Sequence, residues 1–106
     1  MVSGPTGDTL VTTLATLASP HRMRVLAALA GERNYVSRLA RSLGISRALL
    51  QVHLRKLENA GLVKSSLEVS PDGKAMKFYE ITPFDFRLTP ATVAEAARTL
   101  SLQERE

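Results

Sequence analysis

Residues 43–63 read "LGISRALLQVHLRKLENAGLV", and the helix they encode decides the fold. Gly44 closes what precedes it, Ser46 is a good N-cap, and Leu50, Leu54 and Leu57 recur at i, i+4 and i+7 as a buried seam. On the side away from the seam lie Arg47, Ala48, Gln51, Val52 and Arg55, with no carboxylate before Glu58. A face with cations, an amide and an uncovered Val, but no acid, is expected to meet something other than water.

Working outward, "YVSRLARSLG" places Val36, Leu39, Ala40 and Leu43 at i, i+3, i+4 and i+7, a short helix closed by Gly44. Two helices joined by three or four residues containing Gly form a helix-turn-helix. Upstream, Ser19 and Pro20 open a helix whose inward stripe is read as Met23, Leu26, Ala27 and Leu29 or Ala30, with Gly31 ending it. Leu10, Val11, Leu14, Leu17 and Ala18 predict a first helix over 8–18. Past Gly61 the period changes, and "LVKSSLEV" and "AMKFYEIT" read as strands about "SPDGK". They form a hairpin over 62–82 with Lys74 at its tip and Lys77 on the return strand. "PFDFRLTP" is an extended connector, and Thr89 with Pro90 starts a last helix over 90–104 through Val93, Ala94, Ala97 and Leu100.

The 106 residues suit a single domain, 1–106, and the hydrophobic fraction of 44% suits a soluble globular protein. No Cys is present, so neither a disulfide framework nor a thiolate metal site is available. The N-terminal stretch has no basic start followed by an apolar run, and no segment is long and apolar enough for a membrane span. The expected location is cytoplasmic, with no membrane partner. The net charge of +4 is uneven: residues 33–57 carry six cations and no acid, so the rest of the chain is slightly acidic. That distribution is expected of a polyanion binder; the plainer alternative is a solvated basic face.

Helix, helix, helix-turn-helix, hairpin and helix make a winged helix-turn-helix. The fold class is mainly α with a small β-hairpin (α+β), with a core over 19–82, a recognition helix over 46–60 and extra N- and C-terminal helices for dimerisation. On "LASPHRMRVLAAL" (17–29), "VSRLARSLGISRALLQVHLRKLENAGLV" (36–63) and "GKAMKFYEIT" (73–82), the chain resembles the ArsR-type, or arsenic-repressor, transcriptional regulators. The resemblance spans roughly residues 17–82. It implies a homodimeric repressor of double-stranded DNA whose recognition helix enters the major groove while its wing touches the backbone. Ser46, Arg47, Ala48, Gln51 and Val52 match the family's DNA-reading face. Metal-sensing members place Cys in the helix before the turn, where this chain has Tyr35 and Ser37, and others use Asp and His in the last helix, where it has neither. No metal or other cofactor is therefore expected, and no effector is specified.

The chemistry of each residue agrees with that expectation. Arg47 in the first turn suits bidentate bonding to guanine, and Gln51 one turn on suits adenine. Ala48 and Val52 then meet thymine methyl groups, or Val52 packs under the wing. Arg55 and Lys56 are placed for phosphate, as are the helix-start amides at Ser37 and Ser46, and Arg38, Lys74 and Lys77 complete the DNA-binding set. His21 reads as an exposed first-turn residue on a different helix from His53, which either packs at the seam's edge or reaches a phosphate. Leu10, Leu14 and Leu17 with Val93, Ala97 and Leu100 are expected to form a two-fold interface, the alternative being that both helices fold onto their own core. A homodimer implies an inverted-repeat site. No phosphate loop, nucleophile elbow or paired carboxylates support an enzyme. The competing reading is a winged helix used as a protein-interaction module that does not read DNA.

Overall fold

Four of the five helices start where a hydroxyl in extended backbone captures an amide three residues on. Thr6, Ser19, Ser46 and Thr89 accept from the amides of Thr9, Arg22, Leu49 and Thr92 at 3.2, 3.2, 3.1 and 3.1 Å. In the computed structural model, which describes residues 4–101, these caps open α1 (Gly7–Leu17), α2 (Pro20–Gly31), α4 (Arg47–Asn59) and α5 (Pro90–Ala97). The fifth helix, α3 (Val36–Leu43), follows a two-residue strand, β1 (Asn34–Tyr35). Strands β2 (Val63–Val69) and β3 (Ala75–Ile81) form the hairpin.

The sheet has three strands in the order β1-β3-β2, all antiparallel, rather than the two the alternation predicts. Two residues cannot show a period, so β1 has no sequence signature; it exists because Asn34 and Tyr35 meet Tyr79 and Phe78 on β3. The result is an α+β winged helix-turn-helix.

The core lies where α2, α3, α4 and the sheet meet. Val25, Leu29, Leu39, Leu50, Leu54, Leu57, Leu62 and Tyr79 are buried there, with Val36, Leu43 and Ile45 packed at its margin. The inward stripe of α2 differs from the expectation. Val25, Leu26 and Leu29 are buried, whereas Met23, Ala27 and Ala30 are exposed. Both stripes fit a helical period, and only the seating of α2 against α4 and β3 chooses between them.

The last helix is also shorter than 90–104. It ends at Ala97, after which Arg98, Thr99 and Leu100 make tight three-residue turns. There Thr99 Oγ1 accepts the Gly7 amide at 2.7 Å, and Ser101 binds the Asp8 carboxylate through its amide, at 3.0 Å, and its hydroxyl. Capping the start of α1 thus competes with continuing α5; residues 102–104 lie outside the described part. α5 packs on α1, and the molecule measures 52 × 29 × 25 Å with a radius of gyration of 16.5 Å. A compact chain of this length would have a radius of about 13 Å.

Candidate nucleic-acid interface

The recognition helix is aimed by its own buried side. Leu50, Leu54 and Leu57 are completely buried, which fixes the rotation of α4 and leaves Arg47, Ala48, Gln51, Val52, Arg55 and Lys56 exposed. Its entry angle is set by the turn. Gly44 takes the left-handed conformation (φ 71°), which an L side chain rarely adopts, and the Ile45 amide bonds back to Ala40 at 3.1 Å. Ile45 packs against the core, so three residues lock α4 to α3.

Beside α4 the wing closes a groove of about 360 Å³. Ser37 from the start of α3, Arg47 and Gln51 from α4, and Lys77 from β3 line it together, so four of the expected residues converge. Tyr35 and Met76 also line the groove, and neither is in the DNA-binding set expected from the sequence: Met76 alternates along its strand with Phe78, and Tyr35 precedes the stripe of α3. Val52 is 41% exposed and does not line the groove beneath the wing. Lys74 sits at the hairpin turn, where the Ser70 hydroxyl and Asp72 carboxylate accept its backbone amide, leaving its ammonium exposed. The Lys77 ammonium lies 5.5 Å from the centroid of the Tyr79 ring.

The electrostatics correct the count made from the sequence window. Arg33 and Arg38 are not free. Arg33 grips both oxygens of Glu68 and lies 4.3 Å over the Phe78 ring, while Arg38 meets Glu32 at 3.3 Å. The Arg33 bonds hold the Glu68 carboxyl below its ordinary range. Glu32 and Glu68 both lie outside 33–57, so counting the window alone could not find them. Arg41, Arg47, Arg55 and Lys56 have no carboxylate partner among the described residues.

His53 is buried at 8% exposure, which excludes the phosphate contact and leaves packing. Its ring stacks on His21, with centroids 5.5 Å apart and planes at 22°, and neither ring nitrogen has a hydrogen-bond partner. Burial, then the charges of Arg22, His21 and Lys56, push the imidazole below its usual value. The two histidines are thus neighbours, against the expectation from their separate helices.

They do not make a metal site. Stacked rings do not converge on one ion, and no group of three His, Cys, Asp or Glu side chains converges among the described residues. At the family's thiolate positions, Tyr35 meets Phe78 edge-on and Ser37 lines the groove. These donors do not fit the metal chemistry of the sensing members.

The terminal residues divide. Leu10 is covered within its own chain and Leu17 packs against the core, whereas Leu14, Val93, Ala97 and Leu100 are exposed.

Comparison with known proteins agrees with the architecture. The family model described as "Bacterial regulatory protein, arsR family" matches residues 19–65. An HTH-type transcriptional regulator of Methanocaldococcus jannaschii is 37% identical over 70 residues, covering 66% of this chain and 73% of the relative. Two solved structures share the fold. One is the homodimeric winged helix-turn-helix DNA-binding domain of a possible ArsR-family regulator from Mycobacterium bovis (TM-score 0.64, 23% identity, 83% of this chain and 70% of that one). The other is the transcriptional regulator HlyU of Vibrio vulnificus (TM-score 0.60, 22% identity, 86% and 83%). With 37% identity over nearly three quarters of a regulator, and the family pattern running through the helix-turn-helix, this chain belongs to the ArsR family of transcriptional regulators, DNA-binding winged-helix proteins that are not enzymes.

Proposed function

We propose that the protein is a cytoplasmic, homodimeric repressor that reads an inverted repeat in double-stranded DNA and does not sense metals. The observation that carries this is the convergence of Arg47, Gln51, Ser37 and Lys77 on one groove beside a recognition helix whose rotation is locked by three fully buried leucines. Arg47 and Gln51 read guanine and adenine edges, while Ala48 and Val52 meet thymine methyls. Ser46 caps the helix start next to Arg47, where the first amides hold a phosphate. Arg55, Lys56, Lys74, Lys77 and the start of α3 at Ser37 hold phosphates. Arg38 joins them only by exchanging Glu32 for a phosphate. Dimerisation uses the exposed apolar residues of α1 and α5, Leu14, Val93, Ala97 and Leu100, with Leu10 and Leu17 supporting them from beneath; the M. bovis relative of this fold is itself described as homodimeric. With Tyr35 and Ser37 in place of thiolates, affinity for DNA is expected to be indifferent to zinc, cadmium and arsenite.

Selection of bound duplexes from a random library tests the reading. Two half-sites about 10 base pairs apart are expected, as two-fold symmetry places two recognition helices in successive major grooves. Enrichment of no sequence would return the molecule to the protein-interaction class. On the selected site, Arg47→Ala or Gln51→Ala should cost about 1–3 kcal/mol and relax one base pair. Lys74→Ala should weaken all duplexes alike and reduce the salt slope by about one per contacting wing.

A further inference from the structure

Arg33, Arg38 and Lys64 are met by Glu68, Glu32 and Glu80, while beside the wing Arg47, Lys74 and Lys77 have no carboxylate partner among the described residues. On the opposite flank the His21–His53 stack brings the first turns of α2 against the middle of α4. There His21 and Arg24, with Leu43 and Ile45 beside the turn, line an open cavity of about 230 Å³. Lys56 is exposed one turn beyond His53 on the same helix, and with Arg22 and His21 it raises the cost of protonating that imidazole. Arg22 is anchored through its Nε to the Thr16 carbonyl at 2.6 Å, but no carboxylate meets Arg24 or Lys56 among the described residues. No acid occurs anywhere in Pro20–Gly31.

Unpaired cations on two packed helices, Arg24 on α2 and Lys56 on α4, repel one another, and an approaching polyanion relieves that repulsion. We infer that Arg24 and Lys56, with His21 beside them, form a second phosphate-binding flank that holds the sugar-phosphate backbone on the side of α4 away from the wing. The recognition helix is then gripped from both sides, and Leu43 and Ile45 give the deoxyribose an apolar floor. The inference rests on duplex binding as proposed above and adds to it a contact made by α2.

The test walks single neutral methylphosphonates along the selected duplex and measures affinity against salt. The wild-type protein should lose affinity at two separate sets of phosphates, one per flank. Arg24→Gln should abolish the penalty at the set away from the wing and reduce the salt slope by about 0.9 per contact, twice that in a symmetric dimer, with the base preference retained. Lys56→Gln, from the other helix, should act on the same phosphates, and Arg24→Lys should restore the slope; neither result follows from a folding defect in one variant. If Arg24→Gln and Lys56→Gln leave both sets and the slope unchanged while Arg47→Ala still loses its base preference, the second flank is refuted and the reading helix stands. If Arg47→Ala is silent as well, the duplex-binding assignment falls with it.

Discussion

The winged core and the α1/α5 arm use similar apolar residues to different ends. In the core, Leu50, Leu54 and Leu57 meet α2, α3 and the sheet and are sealed by their own chain. In the arm Leu10, Thr13 and Ala96 are buried, while the other apolar residues Val11, Leu14, Val93 and Leu100 stay open. A layer of two short helices has too few neighbours to cover both of its sides, whereas a helix set between other helices and a sheet does. The core is therefore covered by its own chain, whereas one side of the arm stays open, and that side is the proposed dimer surface.

The largest test of that contrast compares one leucine from each half. Leu54→Ala should destabilise by about 2–5 kcal/mol in urea unfolding, through lost burial and the cavity left behind, whatever the protein concentration. Leu14→Glu should instead change the concentration dependence of the transition and of the mass in solution, because it charges the surface proposed above to meet a second copy. A concentration-independent loss of the same size from Leu14→Glu would make the arm an ordinary part of one core.

A smaller effect separates the arm's internal joint from its open side. Gly7 is buried where α1 crosses the end of α5, and an added Cβ would meet the Ala96 carbonyl oxygen and lie 2.7 Å from Leu100 Cγ. Gly7→Ala should force the helices apart and cost about 1–3 kcal/mol, with the Gly7–Thr99 hydrogen bond lost. Exchange protection of the Gly7 amide would report it, while the core amides of α4 should keep theirs. Wild-type protection at both places would show that α1 and α5 do not meet at this joint.

The smallest effects are in pH, and they fall in different windows. His53 is depressed first by burial and then by Arg22, His21 and Lys56. The unfolded chain therefore takes up its proton before the folded chain does, and stability falls as pH drops below the ordinary imidazole value of about 6.5. One proton limits the slope to about 1.4 kcal/mol per pH unit. In the arm Asp8 is depressed by the Ser101 hydroxyl and then by its amide. Its contribution is present above the ordinary Asp range and is lost as pH falls through its lowered folded value. Melting curves from pH 8 to pH 3 should show the first step disappear in His53→Leu and the second in Asp8→Asn. A first step that survives in His53→Leu would assign it to another group.

Which side chains of α4 are exposed was legible in the sequence because its causes are local. The seam of α4 selects which side chains face outward, so Arg47, Gln51 and Val52 are exposed where the period puts them. Tyr35 and Met76 were not legible as groove residues, since their neighbours there come from other elements. His53 could be placed only at the edge of the seam; that edge is buried because α2 brings His21 over it.

The sequence by itself determined where helices start, where the turn bends and which side of α4 is core, because caps, glycine conformations and helical periods act over a few residues. Tertiary structure alone decided the third strand, the rotation of α2, the end of α5 and the pairing of Arg33 with Glu68. Those outcomes depend on groups far apart in the chain, such as Gly7 and Thr99 or Asn34 and Tyr79, whose meeting depends on how the packed elements enclose one core.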